Sequence, residues 1–402
     1  MSERTISAQK DKIIYAVEQG GPAMRALALS LHQHPEISFE EHRSAAELIQ
    51  PLRQAGFTVE TGTGGLETAF RASWEQGTGG PTIAFLAEYD ALPDLGHACG
   101  HNLIGTASVA AALALKAANV EFNGRIEVIG TPAEEDGGGK IIMVGKGVFD
   151  QVDAAMMFHP REKNMVVRGA LACHDSTFKF YGKASHAASA PQLGISALDA
   201  VIHAFNGINA LRQFFTDDVR VHGVITQGGS AANIVPAFAE AKFILRAATV
   251  SGLSEVRRKV YAAVRGAAEM TGAQLEIEEG LIYAERNNNL ALAASFTDNM
   301  MQLGETCYDP PKSGGVGSSD IGNVSQVTAA IHPYLRIGDV TPHTPEFAEA
   351  AGSATGLNAM LTAAKALAMT AYDLCHDGEQ LAAVKNEFIR WQSQTISAGD
   401  KP

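Results

Sequence analysis

A recurring unit constrains this chain most: an apolar run that stops abruptly in polar residues and gives way to a helix-forming stretch. TIAFLAEYD (residues 82–90), RIEVIGTPAEED (125–136) and DAAMMFHP (153–160) are three such runs. IGTASVAAALALKAA (104–118), rich in strong helix formers, lies between the first two. Strands alternating with helices predict an α/β domain with a mixed, largely parallel sheet flanked by helices. The carboxyl ends of parallel strands share one edge, and ligands bind in the crevice there. The polar residues that close the runs should therefore converge: Glu88 with Asp90, then Glu134, Glu135 and Asp136, then His159.

The pattern changes after residue 173. STFKFYGKA (176–184), VRVHGVITQ (219–227) and FAEAKFILRAAT (238–249) alternate like strands, and helical stretches cover 196–213 and 253–270. Ser196 and Asp199 open the first of those helices in the manner of a capping box. A strand-helix-strand-strand-helix-strand order predicts a small α+β sandwich. Beyond residue 290 the α/β character resumes with VTAAIHPYL (327–335) and Ala-rich helices. The middle, 174–287, is thus read as a domain inserted into a discontinuous one, 1–173 and 288–402. Residues 12–56 read as helical with a break at His34-Pro35. A length of 402 residues agrees with two domains.

The bulk numbers narrow the partners. A formal charge of −13 argues against a nucleic-acid footprint. The opening MSERTISAQKDK has no apolar core of a signal peptide. No stretch approaches the ~18–20 apolar residues that span a bilayer. Cys99, Cys173, Cys307 and Cys375 are widely scattered and read as reduced thiols, so a cytoplasmic location with no membrane partner is expected.

The chemistry concentrates just past the first strand end, in His97-Ala-Cys99-Gly-His101-Asn102. Glycine between Cys99 and His101 lets the backbone turn, so thiolate and imidazole can face one place. Imidazole, thiolate and carboxylate together describe a borderline-soft divalent site such as zinc or manganese. Glu134 and Glu135 are adjacent, so their side chains diverge; one can ligate metal while the other serves as general base. Each element has a plainer alternative. A lone C-x-H is a weak signal, a Glu pair is ordinarily solvated, and a histidine closing an apolar run ordinarily packs in the core or its rim. A Cys99 nucleophile beside a histidine is the chemical competitor, but it gives the paired glutamates no role.

LHQHPEISFEEHRSA (31–45), AEYDALPDLGHACGHN (87–102), GTPAEEDGGGK (130–140), FYGKASHAASAP (180–191) and GVGSSDIGNVS (315–325) together resemble the amidohydrolase branch, subfamily D, of the aminoacylase/carboxypeptidase-type metallopeptidase family twenty. The wording is most similar to dipeptidases of β-alanyl-lysine-type dipeptides, then to aminobenzoyl-glutamate hydrolases. The resemblance implies a zinc-peptidase fold with an inserted lid or dimerisation domain, a homodimer, and hydrolysis of the amide bond of a small N-acyl or N-aminoacyl amino acid. It implies two divalent metal ions, zinc or manganese with cobalt as a further candidate. Cys99 would bridge them, with His101, Glu135, His159 and His343 (in TPHTPEF) as the other ligands and Glu134 as base and acid. Relatives outside the branch carry H-x-D-x-x-P where Glu88-Tyr-Asp90-Ala-Leu-Pro93 stands here. His101 would take the place of the missing histidine, and Asp90 would remain as a catalytic-site residue behind the ligands. Asn102 replaces the branch's common Asp and would remove a negative charge near the metals. In the insert, His186 would polarise the scissile carbonyl, in its own or a neighbouring subunit, while Asn233 and Arg246 would hold the substrate carboxylate. Rival readings are a hydrolase of the same fold acting on another C–N bond, such as an aryl amide or an aromatic amine, and a non-catalytic binding protein. His97 and His222 are possible neighbours of the site. His32, His34, His42, His203, His332 and His376 read as structural.

Overall fold

The structure, a computed structural model, describes residues 7–311 and 317–397. Its strands, in chain order, are β1 (Thr58–Thr61), β2 (Phe70–Gln76), β3 (Thr82–Ala87), β4 (Gly124–Gly130), β5 (Ala154–Met156), β6 (His159–Arg161), β7 (Ala172–Tyr181), β8 (Arg220–Gln227), β9 (Phe238–Ala247), β10 (Gln274–Tyr283), β11 (Ala329–Ile331) and β12 (Tyr334–Arg336). The chain divides into two compact units. One runs up to Gly169 and resumes over Arg286–Ser397; the other is Ala170–Glu285, against the expected 174–287. No helix among the described residues is long and apolar enough to cross a membrane.

In the first unit the helical stretch near the N-terminus breaks at His34-Pro35 into Ala8–Gln33 and His42–Gln54. Proline excludes the α conformation from the residue before it. The longer helix is opened by Ser7, whose hydroxyl accepts from the Lys10 N–H, and it buries Ile13, Val17, Met24, Ala28 and Leu31 along one face. The main sheet has the order β1-β2-β4-β3-β5-β11. Its centre is parallel: β3 pairs with β4 and β5, and β11 with β5. β3 is buried along nearly its whole length, as befits a strand covered on both faces.

Two features depart from the expectation. An antiparallel ribbon, β1 and β2, extends the sheet beyond β4. TVET and FRASWEQ carry too many polar residues at exposed positions to show as apolar runs. In addition, 153–160 and 327–335 are each two strands, not one. Their second halves, β6 and β12, pair with each other as a separate parallel sheet. The chain leaves the main sheet at Met157-Phe158 and at His332-Pro333, where proline has no N–H to offer a ladder.

Register sets the functional edge. Ala87 lies opposite Gly130, and Phe85 opposite Met156, so β3, β4 and β5 end side by side. The residues that follow each strand therefore leave the sheet at one edge.

The second unit is an antiparallel sheet of order β10-β7-β9-β8. β7 alternates buried and half-exposed positions along its length. Helices Ala197–Leu211 and Val250–Thr271 pack on the sheet, enclosing Phe178, Phe180, Val201, Phe243, Leu245 and Val260. Each of the larger side chains contributes about 1.5–3 kcal/mol by its burial. Ser196 caps the first helix, accepting from the Asp199 N–H at 3.2 Å.

Candidate metal centre

Three segments leaving the strand ends, and a fourth from near the C-terminus, build the centre within the first unit. After β3 comes Asp90, which is buried. Its Oδ1 accepts from His101 Nδ1 at 2.9 Å, and its Oδ2 from the Glu135 N–H at 3.0 Å and Ser38 Oγ at 3.1 Å. Asp90 thus positions His101, the Glu135 backbone and Ser38. Gly100 then turns the chain at φ +80° and opens the helix His101–Ala117. A Cβ there would stand 2.7 Å from Pro160 Cγ, so both conformation and space require glycine.

After β4 the loop carries Glu134 and Glu135. Glu41, buried, accepts from the Ala133 N–H at 2.9 Å and from Thr68 Oγ1 at 2.8 Å, pinning the loop to the 31–45 segment. The glycine run 137–139 packs tightly behind it: a Cβ on Gly139 would stand 1.9 Å from the Pro132 carbonyl oxygen. After β5 comes His159, whose Nδ1 donates to the Pro160 carbonyl at 2.7 Å. His343 arrives from the segment before helix Pro345–Gly352, tied by its N–H to the Ala98 carbonyl at 2.9 Å.

The donors fall into sets whose ligand atoms lie within 4.8 Å of one another: Cys99, His101 and His159; Cys99, Glu135 and His343; and His101, Glu134 and Glu135. Cys99 is common to the first two. Cys99 Sγ and His159 Nε2 are 3.4 Å apart, and His343 Nε2 and Glu135 Oε1 are 3.5 Å apart. Two ligands on one tetrahedral zinc-like ion stand roughly 3.3–3.6 Å apart. His101 Nε2 and Glu135 Oε1 are buried and lack a hydrogen-bond partner among the described residues. With Nδ1 of His101 and of His159 each committed as a donor, Nε2 is the nitrogen of each ring that a cation would take in place of a proton. These residues fit divalent cations.

The electrostatics divide the glutamates. Burial first, then repulsion from Glu88, Glu135 and Asp320, raises the Glu134 carboxyl well above its ordinary range. Burial acts against Glu135 too, but the nearby His343 ring, 3.5 Å away, and the field of His101 outweigh it and hold that carboxyl low. Neighbouring carboxyls pushed apart are the usual sign of separate acid–base roles. Burial, reinforced by Glu135, pushes the Cys99 thiol up. An attacking thiolate needs the opposite shift, so the cysteine-nucleophile reading is not supported.

Several sequence readings change. The side-chain N–H groups of Asn102 donate to the Ala28 and Ala351 carbonyls, both at 3.2 Å, and tie helices together. His97 is buried, held through Nε2 to the Leu31 carbonyl, with its pKa pushed down to about 3 chiefly by burial. His332, expected to be structural, sits with its ring 5.2 Å from that of His159. Lys140 and Asp320 were missed as site residues although both lie in quoted motifs; they form a buried ion pair at 2.9 Å. Gly315 and Val316 of the second motif lie outside the described residues.

The second unit holds the remaining expected residues. His186 is exposed, and its Nδ1 accepts from the Ala188 and Ser189 N–H groups, both at 3.2 Å. The Ala187 N–H donates to the Asn233 carbonyl at 3.0 Å, so His186 and Asn233 occupy adjacent loops. Arg246 lies toward the other end of β9, opposite Cys173, while Phe238 at the loop end faces Tyr181. Eight strand residues span roughly 25 Å. Within one unit, Arg246 is therefore not brought to His186 and Asn233. His222 is exposed on β8.

Comparison with known proteins places this geometry. The profile of the peptidase family M20/M25/M40 matches residues 84–373. An Xaa-Arg dipeptidase from Mus musculus is 41% identical over 389 residues, covering 92% of this chain and 90% of that protein. A p-aminobenzoyl-glutamate hydrolase polypeptide of Escherichia coli (strain K12) is 40% identical over 282 residues, 65% of this chain and 58% of that protein. Among solved structures, an aminobenzoyl-glutamate utilization protein from Klebsiella pneumoniae shares the fold, with a TM-score of 0.72 at 23% identity over 89% of this chain and 97% of that one. A dinuclear metal-binding peptidase of the M20 family from Bacillus subtilis does so with a TM-score of 0.65 at 21% identity, covering 86% of this chain and 98% of that one.

Proposed function

The chain belongs to the peptidase family M20/M25/M40, and on that premise we propose that it is a dipeptidase-type amidohydrolase releasing a free amino acid, a basic one by preference, from a small N-aminoacyl or N-acyl precursor. The observation that carries the reading is the sharing of Cys99 between two donor sets, with Glu134 beside both His101 and Glu135. The preference for a basic leaving residue follows the Xaa-Arg dipeptidase relatives.

In this reading Cys99, His101 and His159 would hold one divalent ion, and Cys99, Glu135 and His343 the other, as zinc, manganese or cobalt. Such ions, when bound, acidify a water and polarise the scissile carbonyl. Glu134 accepts the proton of the attacking water and returns it to the departing amine nitrogen. Its pKa, raised by burial and by the neighbouring carboxylates, suits a group that must hold and then return a proton. Asp90 fixes the His101 tautomer and the Glu135 backbone. His186 supplies a donor for the oxyanion, and Asn233 with Arg246 takes the substrate carboxylate. The separation of Arg246 from the other two along β9 favours their coming from different subunits of a homodimer. β8, an edge strand with exposed Val224 and Ile225, offers an edge for that assembly.

The test is a substrate panel of β-alanyl-lysine, β-alanyl-ornithine, N-acetyl amino acids, indole-acetyl amino acids and aminobenzoyl-glutamate. It is run on native, chelator-stripped and Glu134→Gln protein. The expected result is turnover of the basic dipeptides, loss on stripping with recovery on adding metal, and loss of at least ~100-fold in kcat with metal content retained in the variant. Full activity of verified metal-free protein, or of authenticated Glu134→Gln, would sink the mechanism.

A further inference from the structure

Beside His159 the first unit crowds positive charge round one phenol ring. The guanidinium carbons of Arg161, Arg168 and Arg286 lie 5.4, 5.6 and 5.7 Å from the centre of the Tyr334 ring. Tyr334 on β12 stands opposite His159 on β6, with the two rings 5.5 Å apart. His332 packs against both, 5.0 Å from the Tyr334 ring and 5.2 Å from that of His159. The hydrolytic roles of the centre use none of these arginines.

Arg286 is the most telling of them. It is only 8% exposed, and among the described residues it meets no carboxylate within ion-pair distance. Its Nη1 donates to Tyr334 Oη at 3.1 Å and to the Arg168 carbonyl at 3.4 Å. Its Nε is buried and lacks a hydrogen-bond partner among the described residues. Nε lies on the side edge of the guanidinium, where two parallel N–H groups match the two oxygens of a carboxylate. Other donors nearby are orphaned as well. Arg161 Nε and both ring nitrogens of His332 are buried without a hydrogen bond among the described residues, and Arg161 reaches Glu162 only at 3.9 Å. In any protonation state His332 has at least one N–H to give. A charge taken out of water needs an opposite charge beside it; a water molecule would satisfy donors but neutralise nothing.

We propose that Arg286, Arg161 and His332 form an anion pocket beside His159 that takes a small carboxylate. The Nε edge of Arg286 supplies the bidentate grip, and Arg161 and His332 add single donors. The two acceptors on Nη1 keep the guanidinium aimed. Where amide hydrolysis is the reaction, the acyl product brings such a group, because cleavage turns the scissile carbonyl into a carboxylate at the centre. Asn233 and Arg246 concern the carboxylate that the substrate already carries. Only the choice of acyl product as the source rests on the hydrolytic reading.

The experiment measures binding, not turnover. Carbon-13-labelled acetate is titrated into native protein, Arg286→Gln and Arg286→Lys, and the bound fraction is read by NMR line broadening. Cooperative melting shows that each chain is folded. Every titration is repeated after chelator stripping, because a carboxylate also ligates zinc. Native protein should bind acetate saturably before and after stripping. Arg286→Gln should weaken that binding about 10–100-fold, as expected for losing hydrogen bonds to a charged partner. Arg286→Lys keeps the charge without the fork and should also bind more weakly than native protein; it carries the test should the glutamine variant fail to fold. Acetate binding that vanishes on stripping places the anion on the metals and overturns the pocket. Equal binding by native protein and the folded variants overturns it too. β-Alanine, the acyl product of the basic dipeptides, should displace acetate, and failure to do so overturns the product assignment. Phosphate competing more strongly than β-alanine makes this an inorganic-anion site and overturns the carboxylate assignment. Since nothing in the titration is hydrolysed, the hydrolytic reading can fail in the substrate panel while this result stands, and the reverse.

Discussion

Replacing Asp90 by Asn tests how the centre is oriented. Oδ2 receives two donors, the Glu135 N–H and Ser38 Oγ, while Oδ1 receives only His101 Nδ1. In the amide the single carbonyl oxygen should keep the two donors, and the NH2 group must then face His101. Nδ1 becomes an acceptor, the ring proton moves to Nε2, and a protonated Nε2 cannot ligate metal. The magnitude follows from the carboxyl itself. Burial raises its pKa, but His101, the Glu135 N–H and Lys140 together bring it from 3.8 to about 2. That is about 2.5 kcal/mol in favour of the ionised form at a site with almost no solvent exposure. For metal affinity the loss of a partner behind a ligand is typically 10–100-fold, about 1.4–2.7 kcal/mol. Chelator competition should therefore show zinc affinity falling about 10–100-fold in Asp90→Asn. The linkage gives a second readout in metal-free protein. A carboxyl held low contributes stability above the ordinary carboxyl range of about 4, and loses it as pH falls toward 2. The variant should lack that part of the acid limb. Unchanged zinc affinity together with an unchanged acid limb would refute the orienting role.

Gly100→Ala places a methyl group 2.7 Å from Pro160 Cγ at φ +80°, and the combined backbone and packing cost of about 2–5 kcal/mol should lower the melting midpoint and weaken metal binding; a melt and zinc affinity like the native protein's would contradict the packing argument. Mixing Glu134→Gln and His186→Ala chains should recover activity through hybrid dimers. Absence of recovery despite proven subunit exchange would argue against sharing of His186. In the second unit, burial pushes the His174 pKa down while Tyr261 OH lies 3.1 Å from Nε2. The folded chain thus keeps this ring neutral while the unfolded chain takes up a proton near pH 6.5. Its contribution is present above that pH and is lost as pH falls below it. His174→Asn should flatten the decline of the melting midpoint between pH 7.5 and 5.5; an identical decline would count against this assignment.

Much of the centre was legible because its residues sit where apolar runs stop. Glu134, Glu135 and His159 follow strand ends, and a parallel sheet aligns such ends by register. The sequence could not show that 153–160 and 327–335 each change sheets, since an apolar run does not announce which partner it will pair with. Nor could it show Lys140 and Asp320. Each is a lone charge in a glycine- or serine-rich stretch, which reads as a solvated loop until a partner 180 positions away is seen.

The local pattern, then, determined on its own the alternation of strand and helix, the inserted antiparallel unit and the turn at Gly100, because period, glycine and proline act over a few residues. Tertiary structure alone decided how the site is wired. It set which nitrogen of His101 and His159 is free, which glutamate is held low and which high, where Asn102 spends its hydrogen bonds, and that Glu88 faces inward. Those outcomes depend on burial and on partners brought together from distant segments, and neither is encoded within reach of any one motif.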